Sequence, residues 1–89
     1  MNTEGIDTLR NIIDTIDGTI IHALGMRMKV VKKIGEIKKT SRIAPLDVAR
    51  WDTVLESRKK SAQQEGLDEK MVERIYQVIH EYSLAIQEK

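Results

Sequence analysis

The chain has no cysteine and no phenylalanine, and its aromatic side chains are one tryptophan and two tyrosines. The absence of cysteine excludes disulfide bonds, thiolate zinc sites and a cysteine nucleophile. With so few aromatic residues, the core must be built from aliphatic side chains. No apolar run approaches the roughly 18 residues of a membrane span, and the first residues lack the apolar stretch of a secretory signal. We therefore expect a soluble, cytoplasmic protein.

The formal net charge of the 89 residues is only +1, which predicts no global attraction to nucleic acid or to anionic lipid. This balance hides a basic segment, because residues 26–42 contain seven basic side chains and a single acidic one, Glu36. No aromatic residues for base stacking accompany this segment, so nucleic acid is the minor alternative and a small anion is favoured. His22 and His80 have no second ligand at metal spacing, and we expect no metal or cofactor.

Two breaks divide the chain into three segments in which apolar residues recur at steps of three and four. One break surrounds the single proline, Pro45, and the other contains Gly66 and Asp68, which suit a helix C′ position and an N-cap. We expect Pro45 in the first turn of the second helix. The periodicity predicts one all-α domain over residues 1–89, with helices at about 5–38, 46–64 and 68–87 and a loop at about 39–45.

The first predicted helix is too long for the rest of the chain. About 34 residues give a helix of about 50 Å, whereas a compact chain of 89 residues has a radius of gyration of ~12 Å. Its apolar stripe needs partners along nearly the whole length, which predicts an interlocked homodimer with a shared helical core. This helix contains three glycines, Gly18, Gly25 and Gly35. Each either permits close approach of another helix or is simply tolerated within the helix.

Two cations fall on the inner stripe of this helix. Isoleucines repeat every seven residues, and Arg27 stands where the next one is expected. Lys38 is eleven residues further on, about 20° around the helix and about 16 Å along it. Both side chains could extend to water while their stems pack. Because a buried unpaired cation is costly, we favour a small anion held between them.

Other polar residues accompany these cations. Arg10 is too far along the helix to share a site with Arg27 of its own chain, but an antiparallel partner chain can bring it there. Asp47 and Arg50, at i and i+3, fit either a substrate contact or an intrahelical ion pair. Ser83 and Gln87, at i and i+4, fit either a site or an ordinary polar rim.

Five motifs occur in a characteristic order: Leu-Arg-x-x-Ile-Asp-x-Ile-Asp at 9–17, Arg27, Ile-Gly-x-x-Lys at 34–38, Asp-x-x-Arg at 47–50 and Ser-x-x-x-Gln at 83–87. This order resembles the AroQ-type, all-helical chorismate mutase family, which has three helices per chain in an interlocked dimer. Arg-Trp at 50–51 and Ile-His-Glu at 79–81 are similar to mutase domains fused to an aromatic-pathway synthase. The resemblance implies cofactor-free rearrangement of chorismate to prephenate in phenylalanine and tyrosine biosynthesis.

The resemblance also implies a role for each matching residue. Arg27 and the partner's Arg10 would bind the two carboxylates of chorismate, and Arg50 would assist on that side. Lys38 would contact the ether oxygen and a carboxylate, while Gln87 would donate a hydrogen bond to the same ether oxygen. These groups suit selection of a compact dianion conformer and stabilisation of charge on the breaking C–O bond.

Asp47 and Ser83 match further substrate-contacting positions, but Trp51 departs from the family pattern. Many members have there a Glu that bonds the substrate hydroxyl, so either Asp47 and backbone groups hold this hydroxyl or the substrate differs. Ala-Leu-Gly-x-Arg-Met at 23–28 and the missing Glu are similar to isochorismate-pyruvate lyases on the same scaffold. A 4-amino-4-deoxychorismate mutase and a non-catalytic dimerisation or regulatory module are the remaining alternatives.

Overall fold

Three helices account for most of the chain. The computed structural model describes residues 4–89, which form α1 (Glu4–Thr40), α2 (Val48–Gln64) and α3 (Glu69–Glu88) and contain no strand. The predicted all-α class, with one long and two shorter helices, is therefore confirmed over these residues. Within the same residues no helix has the length and hydropathy needed to cross a membrane.

The chain divides into two units, Met1–Val30 and Val31–Lys89. The described part of the first unit is the N-terminal portion of α1, and the predicted apolar stripe is present there as an exposed surface. About half or more of each of the following side chains is exposed: Ile6, Leu9, Ile13, Ile16 and Ile20. A single layer of helix cannot bury this stripe, so the first unit presents it to the surroundings.

The second unit contains the end of α1 and the α2–α3 hairpin, whose two helices pack against each other. Its buried apolar side chains are aliphatic, as predicted for the core: Val31, Val54, Ala62 and Val72. The spacing of apolar residues predicts a buried face of α3 made of Val72, Ile75, Ile79, Tyr82 and Ile86. In the structure Tyr82 is 63% exposed and Ser83 only 6% exposed, so the buried face is displaced by one residue at this end of the helix. Ser83 follows Val72 by three helical turns, so the two residues lie on one line along α3.

Both connecting loops begin with the same hydrogen-bonded turn. The backbone is left-handed at Arg42 (φ 56°) and at Gly66 (φ 69°). The N–H of Ile43 donates to the Lys38 carbonyl at 2.7 Å, and the N–H of Leu67 donates to the Ala62 carbonyl at 2.8 Å. These bonds satisfy carbonyls that a helix C-terminus leaves unpaired. Gly66 therefore occupies the predicted C′ position.

Aspartates begin α2 and α3. The Asp68 carboxylate accepts hydrogen bonds from the backbone N–H groups of Lys70 and Met71, as predicted for an N-cap. The Asp47 carboxylate caps α2 in the same way. Pro45 therefore lies in the loop before the cap, and its expected place in the first turn of α2 is wrong. The capping carboxylate, which satisfies an N–H that a helix start leaves unpaired, decides where α2 begins.

Candidate active site

Lys38 lies in the last turn of α1 and is half-buried. Its ammonium donates a hydrogen bond to the Pro45 carbonyl at 2.6 Å, and its own carbonyl accepts from Ile43. The side chain and the backbone of Lys38 thus both hold the loop that leads to α2. An ammonium group has three N–H donors, so the bond to Pro45 leaves capacity for an anionic ligand.

Gln87 lies near the end of α3 and packs directly against Gly35 of α1. A Cβ at position 35 would be 2.9 Å from Gln87 Cα and 3.1 Å from its Cγ, so the contact requires glycine. Residues 35 and 38 are one turn apart on the same side of α1. The contact therefore places α3 against the side of α1 that carries Lys38. Close approach explains Gly35, whereas no atom within the described residues lies within 4 Å of a Cβ built at Gly18 or Gly25.

The amide of Gln87 is incompletely hydrogen-bonded. Its Oε1 atom is buried and has no hydrogen-bond partner among residues 4–89. A buried polar atom without a partner is unfavourable by about 1–3 kcal/mol. The unused capacity is that of an acceptor, so this oxygen could take an N–H or O–H group of a ligand next to the α1–α3 contact, while the donor of the same amide is its Nε2–H₂ group.

Ser83 precedes Gln87 by one turn and lies on the same side of α3. Its Oγ donates a hydrogen bond to the Ile79 carbonyl at 2.7 Å, and the residue is buried. Ser83 is therefore not part of a polar rim at the edge of the helix.

Asp47 and Arg50 form a helix start. The Asp47 Oδ1 atom accepts a hydrogen bond from the backbone N–H of Arg50 at 3.0 Å, and the Arg50 side chain is exposed. This N-cap is a third interpretation, which the spacing of the two residues did not suggest. The signal was available, because aspartate is one of the residues preferred immediately before a helix.

Trp51 and His80 form an aromatic stack between α2 and α3. Their ring centroids are 4.0 Å apart with an interplanar angle of 11°, and both residues are half-buried. His80, Ser83 and Gln87 lie at i, i+3 and i+7 and so share one side of α3. Sequence reasoning set His80 aside as an isolated histidine. Its spacing of seven from Gln87 was the signal that places it on this side.

The two remaining predicted residues belong to the first unit. Arg10 is exposed, and its guanidinium lies 3.7 Å from the Asp7 carboxylate one turn earlier. Arg27 is half-buried. The second unit thus contains Lys38, Ser83 and Gln87, with Gln87 against Gly35, one turn before Lys38, and with the start of α2 tied to Lys38 through the loop. Over residues 4–89 no group of three or more histidine, aspartate and glutamate side chains could hold a metal ion.

An all-helical scaffold with a lysine and a buried amide near one helix–helix contact suits the binding of a small anion. Comparison with known proteins identifies the protein family, because the family described as Chorismate mutase type II matches residues 9–88. The chain belongs to this family, as its motifs predicted, and is an enzyme of the chorismate mutase fold. It is also 37% identical over 79 residues to the isochorismate pyruvate lyase of Pseudomonas aeruginosa, covering 88% of this chain and 77% of that protein.

Proposed function

We propose that this protein is a chorismate mutase, an isomerase that converts chorismate to prephenate in the biosynthesis of phenylalanine and tyrosine. The observation that supports the proposal is the contact of Gln87 with Gly35, which joins the amide-bearing end of α3 to the Lys38 side of α1. In this reaction the ether C–O bond breaks while a C–C bond forms within the same molecule. Neither a nucleophile nor a general base is required.

Lys38 and Gln87 are proposed to stabilise the transition state. Negative charge grows on the ether oxygen as its bond to the ring breaks, and fixed donors aimed at that oxygen lower the barrier. The Lys38 ammonium and the Gln87 amide N–H are such donors. The bond from Lys38 to the Pro45 carbonyl limits the motion of the ammonium, so little reorganisation is needed when the charge develops.

Arginines are proposed to select the reactive conformer. Arg27 and the partner's Arg10 would bind the two carboxylates of chorismate and hold the flexible enolpyruvyl group over the ring, with Arg50 assisting. Asp47 and Ser83 remain candidates for further substrate contacts. Because Asp47 caps α2 through its Oδ1 atom, any contact with substrate would use the other oxygen.

A second copy of the chain is the proposed partner. The exposed isoleucine and leucine stripe in the first unit would be covered by the long helix of the second copy, because exposed apolar patches of this kind mark association surfaces. The sharing of Arg10 between subunits makes each site dependent on both chains.

Mixing two inactive variants tests this sharing. Arg10→Ala and Lys38→Ala are each expected to lose activity, but their heterodimer has one site with both native residues. Unfolding and refolding an equal mixture should restore about a quarter of native activity, because half of the dimers are mixed and each has one intact site. If Arg10 served its own chain, no site in the mixture would be intact and no activity would return.

Isochorismate-pyruvate lyase is the second candidate, favoured by the 37% identity to the lyase of Pseudomonas aeruginosa. The same ammonium and amide could assist departure of the ether oxygen as pyruvate is eliminated. A 4-amino-4-deoxychorismate mutase or a non-catalytic dimerisation or regulatory module would leave both reactions unobserved.

Separate incubations with chorismate and isochorismate distinguish these candidates. We expect loss of chorismate absorbance with prephenate identified as the product, and little pyruvate from isochorismate. Release of pyruvate from isochorismate without formation of prephenate from chorismate would assign the lyase instead. Reaction of neither compound would contradict both proposed activities. Each assay should be repeated with Lys38→Met, which should abolish whichever activity is found.

A further inference from the structure

The two connecting loops use the same turn with different residues at its left-handed position. After α2 the Gly66 N–H donates to the Gln63 carbonyl at 3.2 Å, and after α1 the Arg42 N–H donates to the Lys39 carbonyl at 3.2 Å. Together with the bond that the next N–H makes to the carbonyl five residues before it, each set forms a Schellman motif. The same backbone geometry therefore ends both helices, with glycine at one C′ position and arginine at the other.

Arginine is an unfavourable residue for this position. A residue with a Cβ atom is strained at a positive φ, whereas glycine adopts it freely, and Arg42 is the one non-glycine residue with a positive φ among residues 4–89. The motif also commonly has apolar residues at C3 and C″. Ala62 and Leu67 hold these positions after α2, but Lys38 and Ile43 hold them after α1. Both departures introduce a cation, and departures from local rules are expected at functional positions.

Lys38 holds Arg42 in place through the loop. The Lys38 carbonyl accepts a hydrogen bond from the Ile43 N–H at 2.7 Å, and the Lys38 ammonium donates to the Pro45 carbonyl at 2.6 Å. Arg42 directly precedes Ile43 and is itself bonded to the Lys39 carbonyl. Its backbone therefore lies within one helical turn of Lys38, between residues that are hydrogen-bonded on both sides.

The guanidinium of Arg42 is available to a ligand. The residue is exposed, and within residues 4–89 its side chain makes no hydrogen bond or ion pair. A guanidinium has five N–H donors and can bind a carboxylate through two parallel hydrogen bonds. The surroundings favour an anion, because Lys39 is close by and Glu36 is the single acidic residue of the segment 26–42.

The helix dipole does not explain this arginine. A cation near a helix C-terminus interacts favourably with the dipole, but any position of the last turn provides this interaction without backbone strain. Lys38 and Lys39 already occupy the last turn of α1. The dipole therefore gives no reason for a further cation at the one strained position.

We propose that Arg42 is a further substrate-binding residue, whose guanidinium binds a carboxylate of a small dicarboxylate anion beside Lys38. This inference rests on the proposed function, because it assumes that the surface beside Lys38 binds an enolpyruvyl ether with two carboxylates. The residues that the resemblance assigns to carboxylate binding, Arg10, Arg27 and Arg50, do not include this loop. A carboxylate has about four acceptor sites, so a guanidinium from the loop can share one carboxylate with another cation.

The test compares KM and kcat of the native protein with those of three variants, using whichever of chorismate and isochorismate the native protein converts. Arg42→Gly and Arg42→Asn remove the charge and suit the left-handed backbone. We expect each to raise KM about tenfold, the effect of losing one hydrogen-bonded charge, and to leave kcat within about twofold, because a carboxylate contact is made equally before and during the reaction. Arg42→Lys should give an intermediate KM, since lysine keeps the charge but loses the bidentate geometry.

Gly66→Arg is the matched control, because it places arginine in the same turn of the other loop. A Cβ added at Gly66 has no described atom within 4 Å, so this variant should lower the melting temperature only by the strain at a positive φ and should keep the native KM. Arg42→Asn is not expected to lower the melting temperature, because asparagine tolerates this backbone better than arginine does. A KM within about twofold of the native value in both uncharged variants would overturn the inference and make Arg42 a merely tolerated C′ residue.

Failure of the inference and failure of the proposed function give different results. If the native protein converts one of the two compounds and the uncharged variants retain its KM, only the assignment of Arg42 is wrong. If the native protein converts neither compound, the proposed function is wrong and the assignment falls with it. Should Arg42→Gly fail to fold, Arg42→Asn still decides, because it removes the same charge from the same backbone.

Discussion

Replacing Lys38 with methionine is expected to lower kcat/KM by about 10²–10³-fold, because the variant loses the positive charge proposed to face the ether oxygen. Methionine preserves most of the aliphatic stem, so the packing of the half-buried side chain is largely retained. The hydrogen bond to the Pro45 carbonyl is also lost, which should lower the free energy of unfolding by about 1 kcal/mol. Steady-state kinetics and thermal unfolding measure the two effects separately.

Two observations assign the loss of activity to the ammonium group. Lys60→Met, at an exposed position of α2, makes the same chemical change away from the site and should retain native kinetics. Amide hydrogen exchange at Ile43, whose N–H is bonded to the Lys38 carbonyl, reports on the loop. Slow exchange in an inactive Lys38→Met protein would identify lost charge as the cause. A variant with more than half of the native rate would show that Lys38 has no role in catalysis.

The second large effect is expected for Gly35→Ala. Its Cβ would lie 2.9 Å from the Gln87 Cα atom, and because this atom is backbone, α3 must move. Overpacking of this kind lowers the free energy of unfolding by about 1–3 kcal/mol. Displacing Gln87 by about 1 Å should lower kcat roughly hundredfold. Kinetics at saturating substrate, together with denaturant unfolding, would measure both quantities.

Gly25→Ala is the control for this substitution. Apart from the neighbouring backbone of its own helix, no atom of the described residues lies within 4 Å of a Cβ added at Gly25. Alanine there should therefore stabilise α1 by up to about 1 kcal/mol through helix propensity. The two substitutions are chemically identical and lie in the same helix. If Gly35→Ala were as stable and as active as Gly25→Ala, the close contact with Gln87 would be of no importance to the site.

The sequence predicted the features that depend on local periodicity. Apolar steps of three and four gave three helices, and the Gly66 and Asp68 pair marked the turn between α2 and α3. The expected place of Pro45 in the first turn of α2 was wrong because the helix begins at Val48, after Asp47, whose side chain accepts a hydrogen bond from the backbone N–H of Arg50. A local capping hydrogen bond of this kind competes with other starts that have similar propensity.

The rotation of α3 could not be predicted from its own sequence. Its apolar stripe allows several orientations that differ by about one residue, or 100° around the helix. The orientation that buries Ser83 and stacks His80 on Trp51 is selected by contacts with α2 and with Gly35, which lie far away in the chain. The side-chain stack and the orphaned Gln87 oxygen follow from that selection. Periodicity fixes which helices form, while the close approach at Gly35 decides which side of α3 faces inward.

The stacked tryptophan also serves as an intrinsic fluorescent probe. Trp51 is the single tryptophan of the chain, and it lies in the unit Val31–Lys89. Its emission therefore reports on the α2–α3 hairpin and not on residues 1–30, whereas circular dichroism at 222 nm sums over all the helices. Coincident melting curves from the two signals indicate a single cooperative transition. An earlier loss of ellipticity would instead reveal the long helix fraying while the hairpin and its donors remain assembled.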